Sequence, residues 1–302
     1  QVLLAGLVVE ENLQAAAADF AQAVQLDPSL MAAYYWLGLT NYALGDYEAA
    51  ITNLQTSQQR GEGDPASYYW LGRAYFDQGN YAQAVNAFTQ ALTGTVAGEA
   101  LYWQGRAYYA LGQEQEAAGD PLAVQSYEQA ITDLTEAISR TVELAAAHYW
   151  RGIVFIALGA YQEAVADFDA ALEAGYQPPE DAFYRRGLAY YHLAQSAVVQ
   201  DAASVQAAYQ EAVLSFSEVI TRRQDFADAY YWRGRAAYAL VQMERLDPEL
   251  AEQNRLLATE KWETRRLIVR MFLEGETIHG IRRELYRRNI PCLLYTSPSP
   301  RD

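Results

Sequence analysis

Tyrosine and arginine recur along this chain at helical spacing, and the chemistry they offer is recognition. Three residues before each of six glycines stands a tyrosine: Tyr35, Tyr69, Tyr102, Tyr149, Tyr184 and Tyr231. Seven residues further on come Tyr42, Phe76, Tyr109, Ile156, Tyr191 and Tyr238, with Arg73, Arg106 and Arg235 between the two sets. Residues seven apart share one side of a helix. The pattern therefore predicts a ladder of rings interleaved with three guanidinium groups. Tyr and Arg suit a binding surface because they combine large contact area with directional hydrogen bonding. Catalytic patterns are missing by comparison. His148, His192 and His279 are isolated in sequence, and neither HExxH, paired-cysteine spacing nor a glycine-rich phosphate loop occurs. Carboxylates such as Asp167 and Asp169 are expected on a solvated helix face. The chain reads as non-catalytic, with no cofactor and no metal.

The elements that position the ladder are pairs of helices. In Ala66 to Leu92, large side chains at Tyr68, Leu71, Tyr75 and Phe76 mark one helical stripe. Gly79-Asn80 interrupts the period, and Tyr81, Ala84, Val85, Phe88, Ala91 and Leu92 restart it. Small residues at Gly72, Ala84 and Ala91 fall where the two backbones should approach most closely. The six marking glycines, Gly38, Gly72, Gly105, Gly152, Gly187 and Gly234, are separated by 34, 33, 47, 35 and 47 residues. The unit is thus a helical hairpin repeated every thirty-four residues or so, with two copies lengthened. The extra residues, near 113–125 and 195–207, are rich in Ala, Gln, Glu and Val and are expected to lengthen both helices of their hairpins. Upstream, Ala16, Phe20, Ala23 and Pro28 fit the second helix of an earlier copy, whose first helix is expected to be cut by the start of the sequence.

Tyr68, Leu71, Gly72, Tyr75, Ala84, Phe88 and Ala91 resemble the tetratricopeptide repeat, whose consensus runs aromatic, Leu-Gly, Tyr, Ala, Phe and a closing Pro. The closing Pro is absent from this copy but present in Leu26-Asp27-Pro28. The resemblance implies an all-α, right-handed superhelix of helical hairpins that binds a protein or peptide in a concave groove lined by its first helices. On that implication the groove residues are Tyr35, Tyr69, Arg73, Phe76, Tyr102, Arg106, Tyr109, Tyr149, Tyr184, Tyr191, Tyr231, Arg235 and Tyr238. The trailing Trp36, Trp70, Trp103, Trp150 and Trp232 are assigned to packing. Family members that clamp the acidic tail of a chaperone carry Lys and Asn at groove positions where this chain has Tyr, Leu and Arg, so the resemblance does not extend to that ligand.

The formal net charge is −16, unevenly divided. Residues 1–254 hold 12 basic against 32 acidic side chains, whereas 255–291 hold 9 against 5. The acidic part should repel nucleic acid. No run reaches the roughly eighteen apolar residues needed to span a bilayer. Repeats are expected over 1–262, with long hairpins near 99–140, 181–222 and 228–262; the pattern fails after Trp262. In 263–291, Leu267, Ile268, Met271 and Phe272 form an apolar face. Glu274-Gly275-Glu276 gives a turn, and Thr277 a helix cap before Ile278, Ile281 and Leu285. With Arg282, Arg283, Arg287 and Arg288 outside, this segment could place arginines on a phosphate backbone. Ile268-Val269-Arg270, Phe272, Glu274-Gly275, Ile281, Leu285 and Asn289-Ile290-Pro291 resemble the helical region following the catalytic domain of large serine recombinases, which would make the segment a DNA-binding element with the repeats as accessories; a stretch joined from an unrelated sequence and an irregular C-terminal cap are the other readings. The final stretch, Cys292 to Asp302, resembles the translation of a transposase-type sequencing adapter, all eleven residues matching, and is set aside from fold reasoning.

The reading is an interaction scaffold whose partner is a protein or peptide. Two alternatives are a DNA-binding protein with accessory repeats and the adaptor part of a larger enzyme.

Overall fold

The computed structural model describes residues 2–60, 64–196 and 201–246. Within them lie twelve helices: α1 (Val2–Leu26), α2 (Met31–Ala43), α3 (Tyr47–Arg60), α4 (Pro65–Asp77), α5 (Tyr81–Ala91), α6 (Ala97–Ala117), α7 (Ala123–Ser139), α8 (Leu144–Ala157), α9 (Tyr161–Glu173), α10 (Pro179–Gln195), α11 (Ala202–Arg222) and α12 (Ala227–Leu246). The chain divides into a unit of Gln1–Ala236 and one of Ala237–Asp302, and only residues 237–246 of the second are described. The expected change of character near Trp262, the basic segment and the adapter-like tail lie outside the described residues.

From α2 onward the helices pair as antiparallel hairpins, and α12 opens a further copy. In the first unit each helix packs on its sequence neighbours, and first helices also touch along the row α2, α4, α6, α8, α10. Among the described residues no helix contact reaches further along the chain, so the protein is an all-α solenoid whose core is a series of small clusters between hairpins.

Each hairpin closes on one contact. A Cβ built on Gly38, Gly72, Gly105, Gly152 or Gly187 would lie 2.7 to 3.0 Å from the side chain of Leu54, Phe88, Leu134, Phe168 or Phe216 respectively. All five of those large side chains are fully buried. Glycine is thus required because a ring or isobutyl group occupies the space a side chain would need. Gly234 has nothing within 4 Å among the described residues.

The turns obey a second glycine rule. Nine residues before the wedge in α3, α5 and α9 stand Gly45, Gly79 and Gly159, with φ of +80°, +84° and +73°. Around them the Asp46, Asn80 and Ala160 amides donate to Asn41, Tyr75 and Phe155 carbonyls at 2.8 to 2.9 Å, the bonding that ends a helix on a left-handed residue. The same position before Phe20 holds Glu11, whose Cβ disfavours positive φ. Accordingly α1 runs unbroken from Val2 to Leu26, where the repeat register predicts a first helix, a turn and a second helix.

The lengthened hairpins grow unevenly. α6 continues twelve residues past Gly105, whereas α2, α4 and α8 stop five past their glycines. α7 starts eleven residues before Leu134 and α11 fourteen before Phe216, against seven for α3, α5 and α9. In the earlier hairpin the turn is held late by Gly119, at φ +70°, followed by Asp120 and Pro121. In the later one Asp201 caps α11 by accepting from the Ser204 amide at 2.8 Å. The added turns of α6 need their own close approach. Gly112 faces the Tyr127 ring at a built-Cβ distance of 2.6 Å, and the Tyr127 hydroxyl donates to Glu116 Oε2 at 2.7 Å.

Filling the Gly72 contact should separate α4 from α5. Gly72→Leu is expected to cost about 1–3 kcal/mol and to lower the melting temperature followed by circular dichroism; an unchanged melting temperature would contradict the close contact with Phe88.

Candidate functional site on the first helices

The ladder is built where first helices lie side by side, and its rungs are held by rings from neighbouring repeats. Each tryptophan sits edge-on to the tyrosine before it, at centroid distances of 5.4 Å for Tyr35–Trp36, 5.3 Å for Tyr69–Trp70 and 5.5 Å for Tyr102–Trp103. Each also meets the aromatic of the preceding copy: Tyr42–Trp70 at 5.3 Å, Phe76–Trp103 at 5.4 Å, Tyr109–Trp150 at 6.0 Å and Tyr191–Trp232 at 5.1 Å. The tryptophans therefore couple one repeat to the next. They also carry the arginines. The Arg73 guanidinium carbon lies 5.7 Å from the Trp70 centroid and 3.6 Å from that of Trp103. Arg106 lies 4.1 Å from Trp103 and 4.5 Å from Trp150. The result is an alternating row, Trp70, Arg73, Trp103, Arg106, Trp150, in which each cation is held by rings. Arg235 repeats the motif at 4.8 Å from Trp232.

Hydrogen bonds fix Arg73 further. Arg73 donates to the hydroxyls of Tyr69 and Tyr42 at 3.1 and 2.9 Å, and Tyr42 donates in turn to Asp77 Oδ2 at 2.5 Å. The Arg106 guanidinium carbon lies 5.6 Å from the Tyr102 ring centroid. Burial presses Arg106 below the ordinary arginine pKa and pushes the hydroxyls of Tyr42, Tyr102, Tyr109 and Tyr149 above the ordinary phenol range, so the tyrosines remain protonated donors.

The thirteen residues expected in the groove fall into three groups. Tyr35, Tyr69, Arg73, Phe76, Arg106, Tyr109 and Tyr184 are half-buried, with part of each side chain open. Tyr231, Arg235 and Tyr238 are exposed. Tyr102, Tyr149 and Tyr191 are buried, at 6%, 8% and 4% exposure, so their rings form wall and offer no open face. The covering groups explain this. Tyr176, in the turn after α9, stacks on Tyr149 at 4.2 Å and 11°. Phe226 similarly covers an edge of Tyr184 at 5.0 Å. Tyr191 is enclosed by Tyr209 and Trp232. Sequence reasoning missed the tryptophan–arginine alternation, although its signal was present: Trp70 and Arg73, or Trp103 and Arg106, are three apart on one helix.

A second polar centre corrects another expectation. Asp167 lies inside the α8–α9 hairpin, and only 5% of its side chain is accessible. Arg151 donates to both its oxygens at 2.7 Å, from Nε and Nη2, and His148 Nδ1 stands 2.8 Å from Oδ1. His148 is therefore partnered, and Asp169 also pairs, with Arg186 at 2.6 Å. One repeat earlier Asp133 occupies the equivalent place before its wedge, but the residue equivalent to Arg151 is Gln104, which donates to Thr89 Oγ1 at 2.7 Å. Asp133 keeps one bond, from Gln129 at 2.9 Å, and its Oδ2 has no partner. Burial raises its pKa to about 6. Among the described residues no three His, Cys, Asp or Glu side chains gather so as to hold a metal ion, and no helix is long and apolar enough to cross a membrane.

Stacked hairpins whose first helices share a continuous row of rings define a helical-repeat solenoid of the interaction type. The chain belongs to the tetratricopeptide repeat family, whose model matches residues 7–65, 69–124 and 122–177, with a second such model matching 41–93. Among solved structures, YrrB, described as a TPR protein with an unusual peptide-binding site, is 19% identical with a TM-score of 0.53, over 71% of this chain and 97% of its own. PilW, described as a widely conserved type IV pilus biogenesis factor, is 13% identical with a TM-score of 0.55, over 75% of this chain and 93% of its own. The Pseudomonas aeruginosa protein pilF is 14% identical with a TM-score of 0.53, over 77% and 94%. At these identities the likeness is one of fold. Curated proteins give no match.

Two stability measurements test the polar centres. Arg151→Met leaves Asp167 buried without its main partner and should cost about 3–5 kcal/mol; Arg151→Met with Asp167→Leu should recover most of that loss in chemical denaturation. Asp133 has a folded-state pKa above its unfolded value of 3.8. Its contribution is therefore complete below about pH 4 and is lost as pH rises through about 6. The melting temperature of Asp133→Asn relative to wild type should climb between pH 5 and pH 7.5; a constant difference would contradict the buried, unpaired carboxyl.

Proposed function

We propose that this protein is an adaptor that holds an extended segment of another protein along its first-helix face. The observation that carries the reading is the row of half-open rings and guanidinium groups on α2, α4, α6 and α8, already fixed before a partner arrives. A side chain held by its neighbours loses little rotamer freedom on binding, which improves affinity without new contacts. The peptide-binding site named for YrrB, a protein of the same fold, supports the same use of the scaffold. Residues 1–254 carry 32 acidic against 12 basic side chains, which disfavours a nucleic-acid partner for this part of the chain.

Tyr35 and Tyr69 contribute open ring edges to this face, whereas Gln83 and Gln90 lie on α5 in a shallow depression bordered by Tyr68 and Tyr75. Selection from a displayed peptide library should yield ligands for the wild type that bind at least about tenfold more weakly to Tyr35→Ala with Tyr69→Ala. The same ligands should bind Gln83→Ala with Gln90→Ala unchanged. Loss in the glutamine variant alone would move the site to the other side of α4.

A further inference from the structure

We infer that the segment seated on this face is acidic, with side-chain carboxylates meeting the free edges of Arg73 and Arg106. The inference deepens the adaptor reading and rests on it. Its starting point is charge. Residues 1–254 hold only 12 basic side chains, and five of the arginines, Arg140, Arg151, Arg186, Arg222 and Arg223, are paired with acids nearby. Arg73 and Arg106 share the lack of such a partner with Arg185, Arg233 and Arg235, but among the described residues only these two are held between tryptophans of successive repeats. Among the described residues neither has a carboxylate within 4.0 Å, and the Nε of each is buried with no hydrogen-bond partner. Asp77 reaches Arg73 through the Tyr42 hydroxyl. Two cations have thus been placed among rings with no carboxylate in direct contact, in a protein that has acidic side chains in excess.

The geometry then selects the ligand. Trp103 approaches Arg73 at 3.6 Å and Arg106 at 4.1 Å, and Trp150 approaches Arg106 at 4.5 Å, so rings take the faces of both groups. What remains is the edge, where terminal N–H groups lie in one plane. Of the five donors on Arg73, the structure commits one on each terminal nitrogen, to Tyr69 and Tyr42, leaving a second hydrogen on each. An edge of this kind matches a carboxylate in plane, and fixing the fork in advance strengthens that match. Because the rest of the solenoid is strongly acidic, a polyanion would be repelled elsewhere along it. The fitting occupant carries one or two Asp or Glu residues among apolar ones that can lie on Tyr69, Phe76 and Tyr109.

A positional-scanning library of twelve-residue, C-terminally amidated peptides tests this on the full chain, with Glu, Gln, Lys or phosphoserine fixed at each position in turn. Glu-fixed pools should be captured at least about tenfold better than Gln-fixed pools at one or two positions. Arg73→Gln with Arg106→Gln should erase that preference, and Arg73→Lys with Arg106→Lys, which keeps the charge and loses the fork, should weaken it about tenfold. Circular dichroism melting confirms that each variant is folded; if the glutamine pair is not, the lysine pair decides. Capture without preference for Glu, or a preference that survives the glutamine pair, overturns the inference and leaves the adaptor reading standing. Binding confined to phosphoserine pools, or to the same pools resynthesised with a free C-terminal carboxylate as a parallel arm, overturns it in favour of those ligands. If the wild type captures no pool, both the inference and the adaptor reading fall.

Discussion

A glycine backbone pressed against a buried ring or isobutyl group is the contact on which this structure depends. It occurs at least once in every complete hairpin of the described residues, from Gly38 on Leu54 to Gly187 on Phe216. Two helices that touch at this point bring their axes close enough for alanines such as Ala84, Ala91, Ala164 and Ala171 to be fully buried along the seam. Because no larger core exists, nothing distant can compensate for a hairpin that fails to close. The same contact sets the rotation of each first helix about its axis. That rotation decides which side of the helix faces the second helix and which side is left for the ladder.

The ladder follows from that constraint and adds a second level of order. Tryptophans two residues before the glycines reach the aromatic of the preceding copy, so the rows that join hairpins are also the rows that support Arg73 and Arg106. The side chains that pack one repeat on the next are thus also the ones that line the proposed recognition face. Rings that meet between repeats hold Arg73 and Arg106 on that face. Where a turn residue such as Tyr176 folds back, the surface closes, and Tyr149 becomes interior.

Much of this was legible in the sequence. The glycine spacing located the first helices from α2 onward, and the restart of the apolar period after Gly79-Asn80 located α5, because both depend on local periodicity and side-chain size. What escaped was what depends on tertiary neighbours. Asp167 looks like a solvated acid until the hairpin brings Arg151, sixteen residues away in sequence, onto both of its oxygens. The burial of Tyr102, Tyr149 and Tyr191 arises from residues in other copies and from turns, which a pattern of first-helix positions does not contain. The unbroken α1 could have been read, since Glu11 stands where a positive-φ glycine would be needed. The tryptophan–arginine alternation was visible as an i, i+3 pair, but the second indole over each arginine belongs to the next repeat.

The claim on which the account turns is that binding happens on the first helices. A selected peptide carrying a benzophenone side chain, photolysed while bound to the full chain and mapped by mass spectrometry, reports the contact surface directly. The account predicts adducts in α4, α6 and α8, clustered around Phe76, Trp103 and Tyr109. Adducts confined to α5, α7 and α9 would contradict it.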